Sequence, residues 1–389
     1  MKDLIKNEII KMFYRKKILI GLAVILIFSV VGVWGTIAII KATSPENEIK
    51  ITQQKIANLK KERMKTKDPI KKQKIDEQIL QSQAYIDNLK ISMKSTDWKK
   101  DVKNQLDKLK KSMKEATDLS LLDSKEYYRE QILEYEYCLK KSIKPYTLWQ
   151  INNWTVMNIF LGLIIFLLPF IVFIFASDIV SNEISQKTIS LLVTRPISRF
   201  KIALSKFISA TIVCSALVII SEILVFIITG LLYGFIDLKY PITVGTRYRK
   251  HGLELIPIYG STYIVPLGKF LIYALLLQLL IITACCALSF FISAISKSNS
   301  TANTLSFLMV YGIYFIVSPI SQAVSKINFL KAILLYTYLN PLDILENNIA
   351  TNVMVSIMTP FVSILILFGY IVIFLSTSLK IFNKKDLLV

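Results

Sequence analysis

The sequence predicts an all-α polytopic membrane protein with six transmembrane helices, an N-terminal interfacial helix and an extracytoplasmic helical insertion. The mean hydropathy of +0.52 over 389 residues is too high for a soluble globular protein. Six apolar stretches also reach about 20 residues, the length that a helix needs to cross a bilayer. Each stretch is continuous rather than alternating, which favours helices over the strands of a membrane barrel.

The predicted spans cover residues 18–40, 156–177, 207–235, 270–295, 304–324 and 355–379. Basic residues near span ends favour the cytoplasmic side. They precede the first span (Lys2, Lys6, Lys11, Arg15, Lys16, Lys17), separate the second from the third (Lys187, Arg195, Arg199, Lys201, Lys206) and follow the sixth (Lys380, Lys384, Lys385). Residues 1–17, 178–206, 296–303 and 380–389 are therefore expected inside, and residues 41–155, 236–269 and 325–354 outside.

One short segment disagrees with this topology, because Arg247, Arg249 and Lys250 lie on a predicted outer loop. The basic N-terminus usually dominates the orientation, so both termini are still expected in the cytoplasm. The composition is rich in lysine and isoleucine, which is typical of low-GC Gram-positive bacteria. The expected location is therefore a bacterial cell membrane.

Residues 1–17 predict an amphipathic helix in the inner membrane interface. Their apolar residues share one helical face (Leu4, Ile5, Ile9, Met12, Phe13), and lysines surround the rest. The alternative is that this segment simply extends the first span into water. The first span has a longer apolar core than a secretory signal and no convincing small-x-small site close behind it, so we expect a retained anchor.

Residues 41–155 predict an extracytoplasmic bundle or stalk of two to four antiparallel, coiled-coil-like helices. Narrow apolar seams recur at three- and four-residue spacings (Ile75, Ile79, Ile86, Leu89, Met93; Trp98, Val102, Leu106, Leu109, Met113). A partly disordered charged spacer is the alternative. Residues 236–269 predict an irregular loop with room for a short hairpin, and residues 325–354, interrupted at Asn340-Pro341, predict re-entrant or surface helices.

Nothing in the sequence indicates a self-contained enzyme. It lacks a G-x-x-x-x-G-K-[ST] phosphate loop, a G-x-S-x-G elbow and an H-E-x-x-H motif, and His251 is its only histidine. No catalytic, cofactor-binding or metal-ligating residues are therefore predicted. The formal net charge of +20 suggests nucleic-acid binding, but the position of the charges at span ends argues for a membrane surface instead.

Residues 178–206 contain SNEISQKTISLLVTRPISRFKIALSK at positions 181–206. The second span continues into this segment, Arg195-Pro196 breaks it, and the chain re-enters the membrane from Lys201 onward. The pattern predicts a short cytoplasmic helix-turn-helix fixed between two spans. A force on such an element tilts both spans together, which is what coupling to another subunit requires.

The same segment resembles the signature loop of ABC-2-type transporter permeases, roughly E-x-E-x-G-T, then L-L, then P-[IV]-[ST]-R and a lysine that opens the next span. The matching residues are Glu183, Thr188, Leu191, Leu192, Arg195, Pro196, Ser198, Arg199 and Lys206. The tail at 382–387 and the order of spans also match, so the resemblance covers most of the chain. Ser185 and Lys187 depart from the pattern, and the lysine replaces a glycine that permits unusual backbone angles.

The resemblance implies an export permease that is not an enzyme by itself. Two cytoplasmic ATP-binding subunits, which use ATP and Mg, are expected to dock on the loop of a dimer formed with a second copy or a sister permease. The residues expected to couple the subunits are Glu183, Gln186, Thr188, Arg195, Pro196 and Arg199. Amphiphiles such as peptide antibiotics, lipid-like molecules or drugs are the expected cargo.

Polar residues inside the spans are candidates for a translocation path. Glu222 is the most expensive of them, since a carboxylate within the membrane usually faces protein or water. It is expected to line the path, to pair across the dimer or to be held protonated. Gln278 and Asn303 either join it or bond between helices, and Pro169 is expected to kink the second span.

Two other classes of protein remain open at this stage. A membrane-anchored scaffold or sensor, with a ligand-binding extracytoplasmic bundle, accounts for residues 41–155 but leaves the coupling segment without a role. An ion-coupled secondary transporter predicts paired charges within the membrane and an inverted repeat, and the sequence shows neither. Copurification of an ATP-binding subunit separates the permease from both.

Overall fold

The computed structural model describes residues 1–14, 16–42, 44–65, 97–115, 122–146, 151–186, 197–252, 254–323 and 328–384, with isolated positions between 72 and 86. Two predicted features lie largely outside these residues: much of the apolar seam at 75–93 and the centre of the 178–206 segment.

The α-helices of the described residues are α1 (Lys2–Tyr14), α2 (Lys17–Ala42), α3 (Pro45–Lys65), α4 (Trp98–Glu115), α5 (Leu122–Lys141), α6 (Asn153–Ala176), α7 (Ser181–Ser185), α8 (Arg199–Tyr233), α9 (Leu267–Ile295), α10 (Asn299–Phe307), α11 (Ile313–Ala323), α12 (Asn328–Ile333), α13 (Pro341–Glu346), α14 (Asn348–Val353) and α15 (Pro360–Lys384). A π-helical turn (Leu308–Gly312) joins α10 to α11, and a 3₁₀ turn (Leu335–Tyr338) follows α12. The strands are β1 (Pro241–Val244), β2 (Tyr248–His251), β3 (Glu254–Pro257) and β4 (Tyr263–Pro266).

Six of these segments are long and apolar enough to cross a membrane, which confirms the predicted fold class. They lie in α2, α6 with its continuation to Ser185, α8, α9, the α10–α11 unit and α15. The fifth span is the irregular one, because a π-helical turn interrupts it and Pro319 lies inside α11. Pro169 lies inside α6, where it removes one backbone hydrogen bond.

Helix α9 forms the centre of the membrane region and packs against α6, α8 and α15. Two-thirds of its most apolar stretch is buried, and Phe270, Ile281 and Cys285 are fully enclosed. In contrast, α2 and α15 expose large apolar side chains such as Leu26, Val30 and Phe368. Apolar surfaces of this kind suit lipid or a second membrane protein.

The 236–269 region contains more strand than the sequence predicts. Strands β1 and β4 pair antiparallel with Pro241 opposite Pro266, and β2 and β3 form a second antiparallel pair. After the fifth span, the chain forms the short helices α12, α13 and α14. Asn340 caps α13 through its side-chain oxygen, which accepts from the backbone N–H of Leu342 at 3.0 Å, and Pro341 begins the helix.

Candidate coupling site

Different parts of the chain lie at the two ends of the spans. At one end, which we call the proximal face, α1 lies beside the last turn of α6 and the first turns of α8. At the other, the distal face, Asn153 at the start of α6 donates its backbone N–H to Gly234, just after α8. The strands and α5 also lie on the distal face. The described parts of the predicted coupling segment, residues 178–186 and 197–206, are on the proximal face.

The start of this segment is the short helix α7, which is firmly held by polar contacts. Ser293 Oγ on α9 accepts from the backbone N–H groups of Val180 and Ser181, both at 3.1 Å. Asn299, at the start of α10, donates to Asn182 Oδ1 at 2.6 Å and accepts from Ser181 Oγ at 3.2 Å. Helix α7 therefore moves with the turn between the fourth and fifth spans.

Four charged side chains close a ring behind α7, which we call the proximal charge ring. Lys206 Nζ, on α8, lies 2.7 Å from Glu183 Oε1 and 3.0 Å from Glu8 Oε2. Lys11 Nζ lies 3.0 Å from Glu8 Oε1 and 3.2 Å from Glu183 Oε1. Each lysine thus contacts both carboxylates, and the ring joins α1, α7 and α8.

The ring has balanced charge and little access to water. Lys206 is completely enclosed, and Glu183 and Glu8 are buried. Burial alone raises the pKa of Glu8, but Lys206 and Lys11 hold that pKa below its ordinary value. Burial alone lowers the pKa of Lys11, but the neighbouring Glu183 and Glu8 hold that pKa above its ordinary value. The two lysines and two carboxylates of the ring therefore depend on one another, because a buried charge that loses its partner is costly.

A second ion pair fixes the first span to the same region. Lys17, the first residue of α2, pairs with Asp178 and donates to the backbone oxygen of Ile174 at 2.8 Å. Asp178 follows α6 directly, so the pair connects the ends of the first and second spans. Ion pairs therefore connect α7 to α1, and they connect α2 to the end of α6 beside them.

The predicted coupling residues differ in their accessibility. Glu183 is buried in the charge ring, whereas Gln186 is exposed at the end of α7. Arg199 begins α8 and donates to the backbone oxygen of Asn383 at 3.3 Å, which connects it to the end of α15. Thr188, Arg195 and Pro196 lie outside the described residues. Of these residues, Gln186 is therefore accessible at the surface and Glu183 is not.

The three candidate path residues do not form one group. Gln278 Nε2 on α9 donates to Glu222 Oε1 on α8 at 2.5 Å, and both side chains are buried. Asn303 instead accepts from Ser177 Oγ at the end of α6, close to the proximal face. Glu222 and Gln278 therefore bond between the third and fourth spans, and Asn303 belongs with the contacts around α7.

Sequence analysis missed the partners of Glu183. Glu8 lies between Ile5 and Ile9 on α1, and a carboxylate beside an apolar face, one turn from Lys11, is the signal that points to it. Lys206 was recognised only as the residue that opens the third span. Among the described residues, no group of three or more His, Cys, Asp or Glu side chains is arranged to hold a metal ion.

Residues 3–387 match the family described as ABC-2 family transporter protein. The chain belongs to this family. The match covers nearly the whole sequence, including the proximal charge ring, α7 and all six candidate spans. The chain is therefore a membrane component of a transport system, and family membership implies association with an ATP-binding subunit.

A curated relative matches a smaller part of this chain. The uncharacterized protein YhcI of Bacillus subtilis (strain 168) is 34% identical over 122 residues, which is 30% of this chain. The matched part is 34% of YhcI, so the alignment spans about a third of that protein. YhcI is named only as an uncharacterized protein, so this similarity assigns no activity or substrate.

Proposed function

We propose that this ABC-2 family member is the membrane-spanning subunit of an ATP-driven exporter. It works with two cytoplasmic ATP-binding subunits and with a second copy of itself or a sister permease. ATP and Mg are used in the partner subunits, and this chain converts their closure into movement of its spans. Both termini and the proximal face lie in the cytoplasm.

The proximal charge ring is the observation that carries this proposal. Glu183 lies at the end of the second span, Lys206 lies near the start of the third, and Glu8 lies on the N-terminal helix. A load on the exposed end of α7 is transmitted through these contacts to three helices at once. The ring is shielded from water, and charges interact more strongly in such a low-dielectric environment.

The basic residues support the proposed orientation. The N-terminal segment and the start of α8 carry several lysines and arginines close to span ends on the proximal face. The distal segment between α2 and α6 is longer than the short loops in which such charges count, so its lysines weigh little. The proximal face is therefore the side on which soluble ATP-binding subunits dock.

The test is ATP hydrolysis by the purified complex after co-expression with candidate ATP-binding subunits. Arg199→Glu and Gln186→Ala change the proximal face, and Lys239→Glu is a matched control because Lys239 is exposed on the distal face. We expect the control to keep the subunit and its substrate-stimulated hydrolysis. The proximal variants are expected to lose the subunit or to uncouple hydrolysis from transport.

Two outcomes would contradict the proposal. Failure of any ATP-binding subunit to copurify with the wild-type chain would favour a membrane-anchored scaffold with a distal ligand-binding domain. Equal behaviour of the proximal variants and the Lys239→Glu control would show that an attached subunit docks elsewhere. The mechanism through α7 would then be wrong.

A further inference from the structure

Exposed lysines gather where the distal helices meet the ends of the spans. They lie at the start of α4 (Lys99, Lys100), at the end of α5 (Lys140, Lys141) and just after it (Lys144), and all five are exposed. We call this set the distal lysine cluster. Helices α4 and α5 pack against each other, and Lys99 Nζ donates to Ser142 Oγ at 3.3 Å, which brings the two helix ends together.

The cluster lies close to the distal ends of the spans. Cys138 and Ile143, on either side of Lys140 and Lys141, are buried in the same apolar core as the ends of the spans. Tyr146 packs edge-on against Tyr240, with ring centres 5.4 Å apart. Tyr240 in turn accepts from the backbone N–H of Leu267, the first residue of α9, at 2.8 Å. Lys144, two residues before Tyr146, is therefore close to the start of α9, and the contact between Lys99 and Ser142 brings the start of α4 to the same region.

The end of α5 holds these lysines in a fixed position. Ser142 adopts a left-handed backbone conformation with φ 56°, and the N–H of Ile143 donates to the oxygen of Cys138 at 2.9 Å. This is the closure that commonly ends a helix, and the buried Ile143 anchors it. Lys140, Lys141 and Lys144 thus extend from a rigid turn rather than from a free loop.

Stability of the helices themselves does not account for the whole cluster. Lysines at the end of α5 interact favourably with the helix dipole, but Lys99 and Lys100 lie at the start of α4, where positive charge is unfavourable. The neighbouring carboxylate of Asp97 accepts from the backbone N–H groups of Lys99 and Lys100 and so caps that helix. The end of α5 adds the exposed Lys140 and Lys141 to the surface beside this helix start, so one surface carries several positive charges.

We infer that the distal lysine cluster binds the phosphodiester headgroups of anionic lipids in the outer leaflet. The position at the ends of the spans favours a lipid over a soluble anion, since headgroup phosphates are concentrated at that level. The half-buried Trp98 next to Lys99 fits this setting, because tryptophan prefers the membrane interface. Bound headgroups fix α4 and α5 against the membrane surface. The choice of the outer leaflet rests on the proposed orientation of the chain, whereas the binding itself is independent of the proposed partner subunits.

The test is a lipid titration of the purified full chain followed by native mass spectrometry. Phosphatidylglycerol is the anionic probe and phosphatidylcholine the zwitterionic one. The test variant is Lys100→Gln/Lys140→Gln/Lys141→Gln. The matched control is Lys108→Gln/Lys111→Gln/Lys114→Gln, which changes the charge equally on α4. Lys114, the last residue of the control, lies ~22 Å along the helix from Lys99.

We expect the test triple to weaken phosphatidylglycerol binding by about tenfold and the control triple by less than about twofold. Phosphatidylcholine binding should not distinguish the three proteins. The variant Lys100→Arg/Lys140→Arg/Lys141→Arg should bind like the wild type, which shows that the loss in the glutamine triple comes from charge and not from misfolding.

Three results would overturn the inference. Equal losses in the two glutamine triples would mean diffuse attraction to net charge. Wild-type binding of phosphatidylcholine as tight as that of phosphatidylglycerol would rule out a phosphodiester anion site. Displacement of phosphatidylglycerol by soluble polyphosphate at the same phosphate concentration would assign the cluster to a soluble polyanion instead of a lipid.

Discussion

Lys206, completely enclosed near the start of the third span, donates to Glu183 at 2.7 Å. The two residues lie on either side of the segment proposed to receive the ATP-binding subunit. Their contact is completed by Glu8 and Lys11 of the N-terminal helix, which fixes α1 to both flanks of that segment. If the proposed coupling is correct, the N-terminal helix belongs to the coupling structure and is more than a membrane anchor.

The first prediction concerns Lys206→Met. It leaves Glu8 and Glu183 buried with Lys11 as their remaining partner in the ring, so the free energy of unfolding should fall by about 3 kcal/mol. Thermal unfolding of the detergent-solubilised protein measures this. The control is Lys201→Met, because Lys201 is exposed on the same helix, and its effect should stay within about 0.5 kcal/mol.

Adding Glu8→Gln to Lys206→Met provides a sharper comparison. The double variant removes one of the two carboxylates that Lys206→Met leaves underpaired, so its loss of stability should be smaller than the sum of the two single losses. Strictly additive losses would show that Glu8 and Lys206 do not interact. The proximal charge ring would then not couple α1 to α8.

A second prediction concerns Glu126, which fixes α5 to the distal strands. Its carboxylate accepts from the backbone N–H groups of Gly260 at 2.8 Å and Thr262 at 3.0 Å, and from Arg129 at 3.1 Å. Because Glu126→Ala leaves these donors without their acceptor, we expect a loss of about 2 kcal/mol. Hydrogen exchange at residues 260 and 262 should accelerate, and Glu136→Ala, at an exposed ion pair with Lys110, should not change it.

Unchanged exchange at residues 260 and 262 in the Glu126→Ala protein would show that the strands hold their position without α5. The distal helices would then be free to move relative to the spans.

Sequence patterns predicted the features that depend on residues close to one another in the chain. Apolar runs identify six spans because a helix crossing the bilayer needs a fixed length. The proximal charge ring was not predictable, because Glu8 and Lys11 are far along the chain from Glu183 and Lys206, the two members that lie in the recognisable motif. Glu222 and Gln278 were both singled out, but their contact depends on how α8 and α9 rotate against each other. Rotation of this kind follows from packing, which spacing alone does not determine.

A third prediction is a pH dependence that arises from Glu346 on α13. Burial, with Asp343 and Glu130 nearby, raises the pKa of Glu346 from 4.5 to about 7. The folded protein therefore favours the acid form, and the resulting stability is full below pH 4.5 and is lost as the pH rises through about 7. We expect a loss on the order of 2 kcal/mol between about pH 5 and pH 8.5.

Apparent melting temperatures at these two pH values measure this effect. Glu346→Gln should remove most of the difference, because the amide does not ionise. Glu136→Gln, at an exposed position on α5, should keep it. A wild-type protein that is equally stable at both pH values, or a Glu346→Gln protein with the full difference, would contradict the assignment to Glu346.

The last prediction concerns the buried contact between Glu222 and Gln278. Gln278 Nε2 donates to Glu222 Oε1, and the contact joins the third and fourth spans away from water. Each single variant, Glu222→Leu or Gln278→Leu, leaves one polar group without this partner. The double variant removes both polar groups, so the four proteins form a thermodynamic cycle with an expected coupling free energy of about 1 kcal/mol.

Transport assays on the same variants separate a structural role from a place on the translocation path. If the contact only stabilises the spans, the double variant should keep transport at a temperature where it is folded. If Glu222 also meets the cargo, Glu222→Gln should impair transport although it keeps an acceptor for Gln278. A coupling free energy near zero, with normal transport in every variant, would assign neither role to the pair.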